Sequence, residues 1–198
     1  IPGDTDVVFP VLHGTFGEDG QVQQLLERAG LPYVGSGPEA SRLAMAKSES
    51  KKLLTKAGVP TPACKRVTEI DTPLPSALRF PLVVKPNSQG SSVGMTKLDT
   101  PDDASWRTAL QDALAVDEVA LVEEFVQGTE ITVGILQGEC LPVYEIIPPP
   151  GQVFDYDAKY RHSHGETQYL CPPRNVSLAV QERASEYAME LYRSIGAR

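Results

Sequence analysis

The chain has 198 residues, of which 26 are acidic and 18 basic, and its formal net charge is −8. This balance argues against nucleic acid or an anionic membrane surface as partner, because both attract basic patches. Apolar residues make up 41% and charged residues 22%, which is typical of a globular protein with a real core. No uncharged apolar run approaches the roughly 20 residues that a membrane helix needs. A small phosphorylated ligand stays possible, since a few local cations suffice to bind it.

The first residue is Ile1, and no basic-then-apolar leader follows it, so we expect the chain to begin partway into a larger protein. Three cysteines lie far apart and form no C-x-x-C pair: Cys64, Cys140 and Cys171. An odd number at this spacing favours reduced thiols in a cytoplasmic protein over a disulfide or zinc framework.

The first forty residues predict a parallel βαβ unit. Residues 6–12 form a short apolar run typical of a buried strand, and a loop with three glycines follows at 13–20. Gly30 supplies a left-handed end for the next helix, and residues 31–34 predict a second strand. The apolar face of that helix consists of Val22, Leu25, Leu26 and Ala29.

A helical stretch over residues 38–57 comes next, with a break near Lys47. The prolines of segment 59–62 exclude a helix interior and predict an extended linker. Beyond it we expect four strands, at 63–68, 80–85, 95–98 and 119–125.

A helix is predicted from Pro101, with Thr100 as its N-cap and Asp103 at a capping-box position. Its inner face comprises Trp106, Ala109, Leu110 and Ala113. Further on, strands at 129–136 and 139–147 flank the two-residue hairpin Gln137-Gly138.

The long segment 148–173 reads as a loop, and a loop of this length favours a function. We expect Ser177 to cap a last helix, which Gly196 ends. Its inner face would comprise Ala184, Tyr187, Ala188, Leu191, Tyr192 and Ile195.

The segment from Lys85 to Gly94 is the first candidate site. A lysine ends an apolar strand, and a loop rich in glycine and serine follows at once. Glycine lets backbone N–H groups approach an anion, while Ser91 and Ser92 add donors, so the segment can grip phosphate oxygens. It is not a G-x-x-x-x-G-K-S/T loop. The alternative is a solvated hairpin.

Two carboxylates form the second candidate. Glu123 ends an apolar strand, where it can accept a hydrogen bond from an adenine amino group. Glu130 follows seven residues later and can bind ribose hydroxyls, as acidic residues do in dinucleotide folds. The alternative is that both are simply solvated.

Other candidates lie in loops. Lys159, with tyrosines on both sides in segment 155–160, can meet a phosphate or carboxylate when a loop closes over a substrate. His13 follows the first predicted strand, at the end where α/β folds bind ligands. His162 and His164 lie two apart, but loop histidines are usually free of metal. The alternative for segment 155–160 is a surface loop that merely packs its tyrosines. The alternative for His13 is a capping or core histidine.

Taken in this order, these segments resemble the D-alanine–D-alanine ligases of the ATP-grasp superfamily. The resemblance covers essentially the whole chain. Its motifs are LHGTFGEDGQVQ at 12–23, LPYVGSG at 31–37, the Lys47 helix, VVKPNSQGSSVGM at 83–95, LVEEFVQGTEITV at 121–133, and FDYDAKY with ETQYLCP at 154–172.

The resemblance implies an α/β (α+β) ATP-grasp fold preceded by the end of a parallel βαβ domain. Residues 1–37 would end the N-terminal domain, 38–122 would form the central ATP-grasp subdomain, and 123–198 the first part of the C-terminal subdomain.

The resemblance also implies roles for individual residues. Lys47, Lys85 and Ser92 would bind the phosphates of ATP, and Lys159 would reach the γ-phosphate. Glu123 would accept from adenine, and Glu130 would hold the ribose. The residues that would line the base are Glu124, Phe125 and Val126. Ser91, Tyr160 and His13 would lie on the substrate side.

By the same resemblance, the whole protein is an ATP-dependent cytoplasmic enzyme that makes D-alanyl-D-alanine through an acyl phosphate, for peptidoglycan synthesis. Its ligands are ATP, D-alanine and Mg2+. The metal ligands and an oxyanion-stabilising arginine are expected beyond residue 198, so none is assigned here, and the 198-residue chain alone should make no dipeptide. A homodimer is the family expectation. The alternatives are a D-alanine–D-lactate ligase, another ATP-grasp carboxylate–amine ligase, or a non-catalytic ATP-binding fragment.

Tyr160 lies where related depsipeptide ligases carry a histidine. A tyrosine, with a pKa of about 10, stays neutral at pH 7. A histidine is cationic over part of the range from about pH 5 to 8, and would repel an ammonium acceptor but not the hydroxyl of D-lactate. We therefore predict that Tyr160→His in the whole enzyme shifts product from dipeptide to depsipeptide, most strongly at low pH. Product analysis with both acceptors present tests this, and an unchanged ratio would remove Tyr160 from the acceptor site.

Overall fold

A four-stranded antiparallel sheet occupies the middle of the chain. The computed structural model describes residues 3–149, 159 and 166–198. The strands are β1 (Cys64–Val67), β2 (Leu82–Pro86), β3 (Thr96–Leu98) and β4 (Ala120–Glu124), in the order β1-β4-β2-β3. Each lies within a predicted strand or overlaps one, so the sequence pattern located these four strands correctly.

The two faces of this sheet differ in chemistry. Side chains alternate along a strand, and Leu82 and Val84 of β2 lie on the same face as Val122 of β4. These three side chains are fully buried against helix α4 (Asp103–Leu114). Lys85 and Glu123 lie on the opposite face. The buried core consists of Val67, Leu82, Val84, Leu98, Trp106, Ala109, Leu110, Ala113, Ala120 and Val122, which includes the whole predicted face of α4.

The predicted start of α4 is wrong by two residues. Asp102, rather than Thr100, is the N-cap, and its carboxylate accepts a hydrogen bond from the Ser105 backbone N–H at 2.7 Å. Asp103 is therefore the first helical residue and holds no capping-box position. A carboxylate one residue before the helix competes better for the free N–H groups than a threonine three residues before it.

Three helices precede the sheet: α1 (Gln21–Arg28), α2 (Pro38–Met45) and α3 (Lys47–Lys56). The predicted break near Lys47 is confirmed, since Ala46 leaves the helical conformation with φ −77° and ψ 86°. This break turns α3 so that it contacts the linker and the sheet.

The N-terminal segment departs from the prediction. In place of a buried strand at 6–12 and a second strand at 31–34, Val8 forms an isolated parallel bridge with Tyr33. Phe9 and Val11 are each 69% exposed, because the described residues provide no second layer over this segment.

The predicted apolar face of α1 is also only partly correct. Leu26 is buried, but Leu25 is half exposed and Ala29 is exposed. Gln23 is buried in their place, because its amide donates to the Gly17 carbonyl at 3.0 Å.

A second sheet follows, with strands β5 (Glu130–Thr132), β8 (Tyr144–Ile147) and β9 (Gln168–Leu170) in the order β5-β8-β9. Strands β6 (Ile135–Leu136) and β7 (Glu139–Cys140) form the hairpin predicted at Gln137-Gly138. The two long strands predicted over 129–147 are thus four short ones. The Leu141 N–H pairs with the Gly134 carbonyl at 2.8 Å, and Pro142 interrupts the second strand.

The last helix, α5 (Leu178–Ser194), is capped by Ser177 as predicted and is followed by Gly196 at φ 70°. Its predicted inner face is only half-buried, since α5 contacts the edge of the fold at α3 and the β6–β7 hairpin. Strand β9 lies inside the segment predicted as a loop over 148–173, part of which is outside the described residues.

The three cysteines are free thiols, in agreement with the sequence. Among the described residues, no helix is both long and apolar enough to cross a bilayer.

Leu110 is fully buried between α4 and the sheet, whereas Leu178 is 69% exposed at the start of α5. We predict that Leu110→Ala lowers the free energy of unfolding by about 2–5 kcal/mol, through lost burial and the cavity that remains. Leu178→Ala should change it by no more than about 0.5 kcal/mol. Urea unfolding followed by circular dichroism measures both, and equal effects would contradict the assigned core.

Candidate functional site

A buried carboxylate lies between two lysines on the polar face of the main sheet. Glu123 Oε1 is 2.6 Å from Lys51 Nζ, and Glu123 Oε2 pairs with Lys85 Nζ. The side chains of Glu123 and Lys51 are each 10% exposed, and that of Lys85 is 25% exposed. Charges in such a place are retained only when they are paired.

The strand register brings two of these residues together. Glu123 lies opposite Val83, so Lys85 is its diagonal neighbour on the same face of the sheet. Lys51 comes from α3, and Glu123, Lys85 and Lys51 together are called the trio. Burial raises the pKa of the Glu123 carboxyl, but Lys85 and Lys51 outweigh burial, so that its pKa lies below the ordinary value.

Lys47, in the first turn of α3, binds the start of the loop over residues 87–94, which we call the glycine-serine loop. Its Nζ donates to the Gln89 carbonyl at 2.6 Å and to the Asn87 carbonyl at 3.3 Å. The Asn87 side chain in turn accepts from the Ser48 N–H at 2.9 Å. Burial lowers the pKa of Lys47 to about 8, and the positive charges of Lys85 and Lys159 add to this effect.

The loop over residues 87–94 is anchored at its base and unusual at its tip. The Ser88 N–H donates to Asp117 Oδ2 at 2.5 Å, and Gln89 Nε2 donates to the Val116 carbonyl at 3.0 Å. Ser91 and Ser92 have φ values of 55° and 57°, the left-handed region that non-glycine residues rarely adopt. Such conformations cluster at ligand-binding sites.

Lys159 lies next to this loop although the two are far apart in sequence. Its Nζ lies 2.8 Å from Ser92 Oγ. Its charge also acts on Lys47 and Glu130, so a third cation joins Lys47 and Lys85 around the loop.

A cleft of about 490 Å³ opens between the segment that follows β4 and the second sheet. Its lining includes Phe125, Val126 and Glu130. Burial raises the pKa of the Glu130 carboxyl, and the charge of Lys159 opposes this rise. Lys97 Nζ lies 4.8 Å from the centre of the Phe125 ring.

Two predicted residues have other surroundings. Glu124 turns to Arg79, accepting from its backbone N–H at 3.0 Å, and is not part of the lining of the cleft. His13 is exposed, although its loop reaches the glycine-serine loop where Thr15 Oγ1 lies 3.2 Å from Gln89 Oε1. Tyr160, His162 and His164 lie outside the described residues.

Sequence reasoning missed Lys51 and Lys97. Lys51 follows Lys47 by four residues on one helix, a spacing that places both on one face and could have revealed it. Lys97 lies opposite Val83 in the sheet register, which only the structure provides.

The described residues hold no group of three or more His, Cys, Asp or Glu side chains that could bind a metal ion. They do combine three cations, a serine-rich loop, a carboxyl buried between lysines and, after β4, a cleft. Chemically, this arrangement suits a ligand with a polyphosphate at one end and a polar ring system at the other.

Comparisons with known proteins agree with this geometry. Residues 53–198 match the family described as D-ala D-ala ligase C-terminus, and residues 2–36 match D-ala D-ala ligase N-terminus. A D-alanine–D-alanine ligase from Syntrophotalea carbinolica is 42% identical over 90% of this chain and 58% of its own length. The chain thus spans less than two thirds of that relative.

Two solved structures are similar as well. The D-Ala:D-Ser ligase VanG from Enterococcus faecalis superposes with a TM-score of 0.81 at 32% identity, covering 97% of this chain and 57% of the other. A D-alanine–D-alanine ligase from Bacillus anthracis complexed with ATP gives 0.78 at 33% identity, covering 98% and 62%. The fold is therefore the α/β ATP-grasp fold of these ligases, as the sequence predicts.

Burial lowers the pKa of Lys47 to about 8, so this lysine changes charge near neutral pH. We predict that binding of inorganic tripolyphosphate weakens between about pH 7 and pH 9 as Lys47 loses its proton. Lys47→Arg should flatten this dependence, because a guanidinium stays cationic. Calorimetry of tripolyphosphate binding to the wild-type protein and to Lys47→Arg tests this, because the titration of tripolyphosphate itself affects both proteins equally. Lys52→Arg is the control variant. Equal pH slopes would contradict the assignment.

Proposed function

The chain belongs to the D-alanine–D-alanine ligase family, and on that premise we propose that the whole protein uses ATP to join two D-alanine molecules into D-alanyl-D-alanine, with release of ADP and phosphate. The observation that carries the proposal is the convergence of Lys47, Lys85 and Lys159 on a glycine-serine loop. The product would serve peptidoglycan synthesis, and the enzyme would act in the cytoplasm.

The proposed chemistry activates a carboxylate. A carboxylate is a poor electrophile because it carries negative charge, and transfer of the γ-phosphate of ATP gives an acyl phosphate with a good leaving group. The amine of the second D-alanine then displaces phosphate. The lysines of this chain neutralise and orient the phosphates, and an acyl phosphate must be kept from water, which a closing loop around Lys159 would provide.

The nucleoside end would occupy the cleft. Glu123 keeps acceptor capacity for an adenine amino group, because a carboxylate offers about four lone-pair sites and its two lysines use two of them. Phe125 and Val126 would contact the base, and Glu130 would accept from the ribose hydroxyls. The carboxylate of Glu124 pairs with Arg79, so the contact of Glu124 with the base would come from its backbone.

The D-alanine end would lie on the other side of the glycine-serine loop. We assign Ser91 to a hydrogen-bond network with Tyr160, and His13 to the first D-alanine. Ser92 would bind phosphate together with Lys159, its neighbour at 2.8 Å.

Three further parts of the proposal concern the whole protein. Mg2+ would neutralise phosphate charge through ligands outside the described residues. The protein would form a homodimer. The chain would divide at residues 37 and 122 into the end of an N-terminal domain and two ATP-grasp subdomains.

A second candidate is a ligase that takes another acceptor. The similarity to a D-Ala:D-Ser ligase favours this candidate. Incubating the whole protein with ATP, D-alanine and either D-serine or D-lactate, followed by product analysis, separates the two. The proposal predicts D-alanyl-D-alanine as the main product, and D-alanyl-D-serine or D-alanyl-D-lactate as the main product would replace it.

We predict that Lys85→Ala in the whole protein lowers kcat/KM for ATP by about one to two orders of magnitude, the effect of losing a charged hydrogen bond of roughly 1.5–3 kcal/mol. Lys65 is the matched control, an exposed lysine of β1 in register with Val122 of the core face. Arg79 is less suitable as a control residue because it pairs with Glu124, which is itself assigned to the nucleotide site. Steady-state kinetics giving equal losses for Lys85→Ala and Lys65→Ala would remove Lys85 from the phosphate site.

A further inference from the structure

The two lysines of the trio differ in how firmly they are held. Lys51 Nζ meets three acceptors, Glu123 Oε1 at 2.6 Å, Thr61 Oγ1 at 2.6 Å and the Pro62 carbonyl at 2.7 Å. An ammonium has three N–H donors, so all of them are used. Lys51 is therefore fixed in place and has no donor left for a ligand.

Lys85 is held by a single contact. Within the described part of the chain, its Nζ has one polar partner, Glu123 Oε2. Two of its donors are open to a ligand, and its side chain is 25% exposed against 10% for Lys51. Of the two, Lys85 is the lysine that can turn towards an incoming anion.

Turning Lys85 to a phosphate has a consequence for Glu123. The Glu123 side chain is 10% exposed, and a buried carboxylate without a cation is strongly unfavourable. Lys51 stays within 2.6 Å of it whatever Lys85 does. Its charge can compensate Glu123 at the moment when the phosphates draw Lys85 away.

We propose that Lys51 is a positioning residue for nucleotide binding: as the fixed counter-ion of Glu123, it frees Lys85 for the phosphates of ATP. This rests on the proposed function insofar as ATP is the ligand. Lys51 acts through Glu123 and Lys85 and does not touch the nucleotide. Without Lys51, the carboxylate would retain Lys85, and the phosphate end of the ligand would lose its cation.

The test measures equilibrium binding of ATP and of adenosine to the whole protein. Lys51→Met should raise Kd for ATP by about 10- to 100-fold, the range for a lost charged hydrogen bond, and Kd for adenosine by less than about threefold. If Lys51 had a purely structural role, Lys51→Met would weaken the binding of ATP and of adenosine to the same extent. Lys51→Arg, which keeps the charge, should recover most of the affinity for ATP.

Lys52 provides the matched control next in the chain, since it is exposed and pairs with Glu49 at 2.8 Å. Lys52→Met should change Kd for ATP by less than about twofold. If Lys51→Met does not fold, Lys51→Gln removes the charge but retains amide donors for Thr61 and Pro62.

A double-variant cycle shows whether Lys51 acts through Glu123. In a Glu123→Gln background no carboxylate retains Lys85, so adding Lys51→Met should change Kd for ATP by less than about threefold, although residues in contact otherwise couple strongly. An equally large effect in both backgrounds overturns the proposal, as does unchanged ATP binding in Lys51→Met.

Because ATP binding is measured separately from the ligase reaction, the experiments distinguish failure of the proposed function from failure of the proposed role of Lys51. A wild-type protein that binds ATP but makes no dipeptide overturns the proposed function alone. A wild-type protein that binds no ATP overturns both.

Discussion

The paired charge of Glu123 is the constraint on which the polar side of this fold depends. A carboxylate side chain that is only 10% exposed requires cations, and the sequence provides one from β2 and one from α3. Lys51 also bonds to the linker at Thr61 and Pro62, so this ion pair joins helix, linker and sheet. The carboxyl thereby fixes the relative position of the elements that carry the lysines proposed to bind phosphate.

The main sheet separates stability from function by its two faces. The face towards α4 is apolar and fully buried at Leu82, Val84 and Val122. The other face carries Lys85 and Glu123, while α3 adds Lys47 and Lys51. Because side chains alternate along each strand, one short strand serves both purposes. The loop after β2 begins just beyond Lys85, so the groups proposed to bind phosphate start from the end of a paired strand.

The sequence predicted this central part well because its signals are local. Periodicity located the strands and the inner face of α4, and spacing located the break before Lys47. Prediction failed where burial depends on contacts remote in sequence: the segment 6–12 is exposed, and Gln23 is buried where Leu25 was expected. Motif resemblance assigned Lys47, Lys85 and Glu123, and the structure brings them together, but their pairing with Lys51 depends on the packing of α3 and could not be deduced from strand patterns. Roles for Ser91, Tyr160 and His13 stay predictions.

A structure of the whole protein with a non-hydrolysable ATP analogue tests the account most directly. The account predicts that Lys85 Nζ leaves Glu123 and lies within hydrogen-bond distance of a phosphate oxygen, while Lys51 Nζ stays paired with Glu123 Oε1. It also predicts the adenine against Phe125, with its amino group towards Glu123. A bound nucleotide with Lys85 still on Glu123, or with Lys51 turned away from it, would contradict the account.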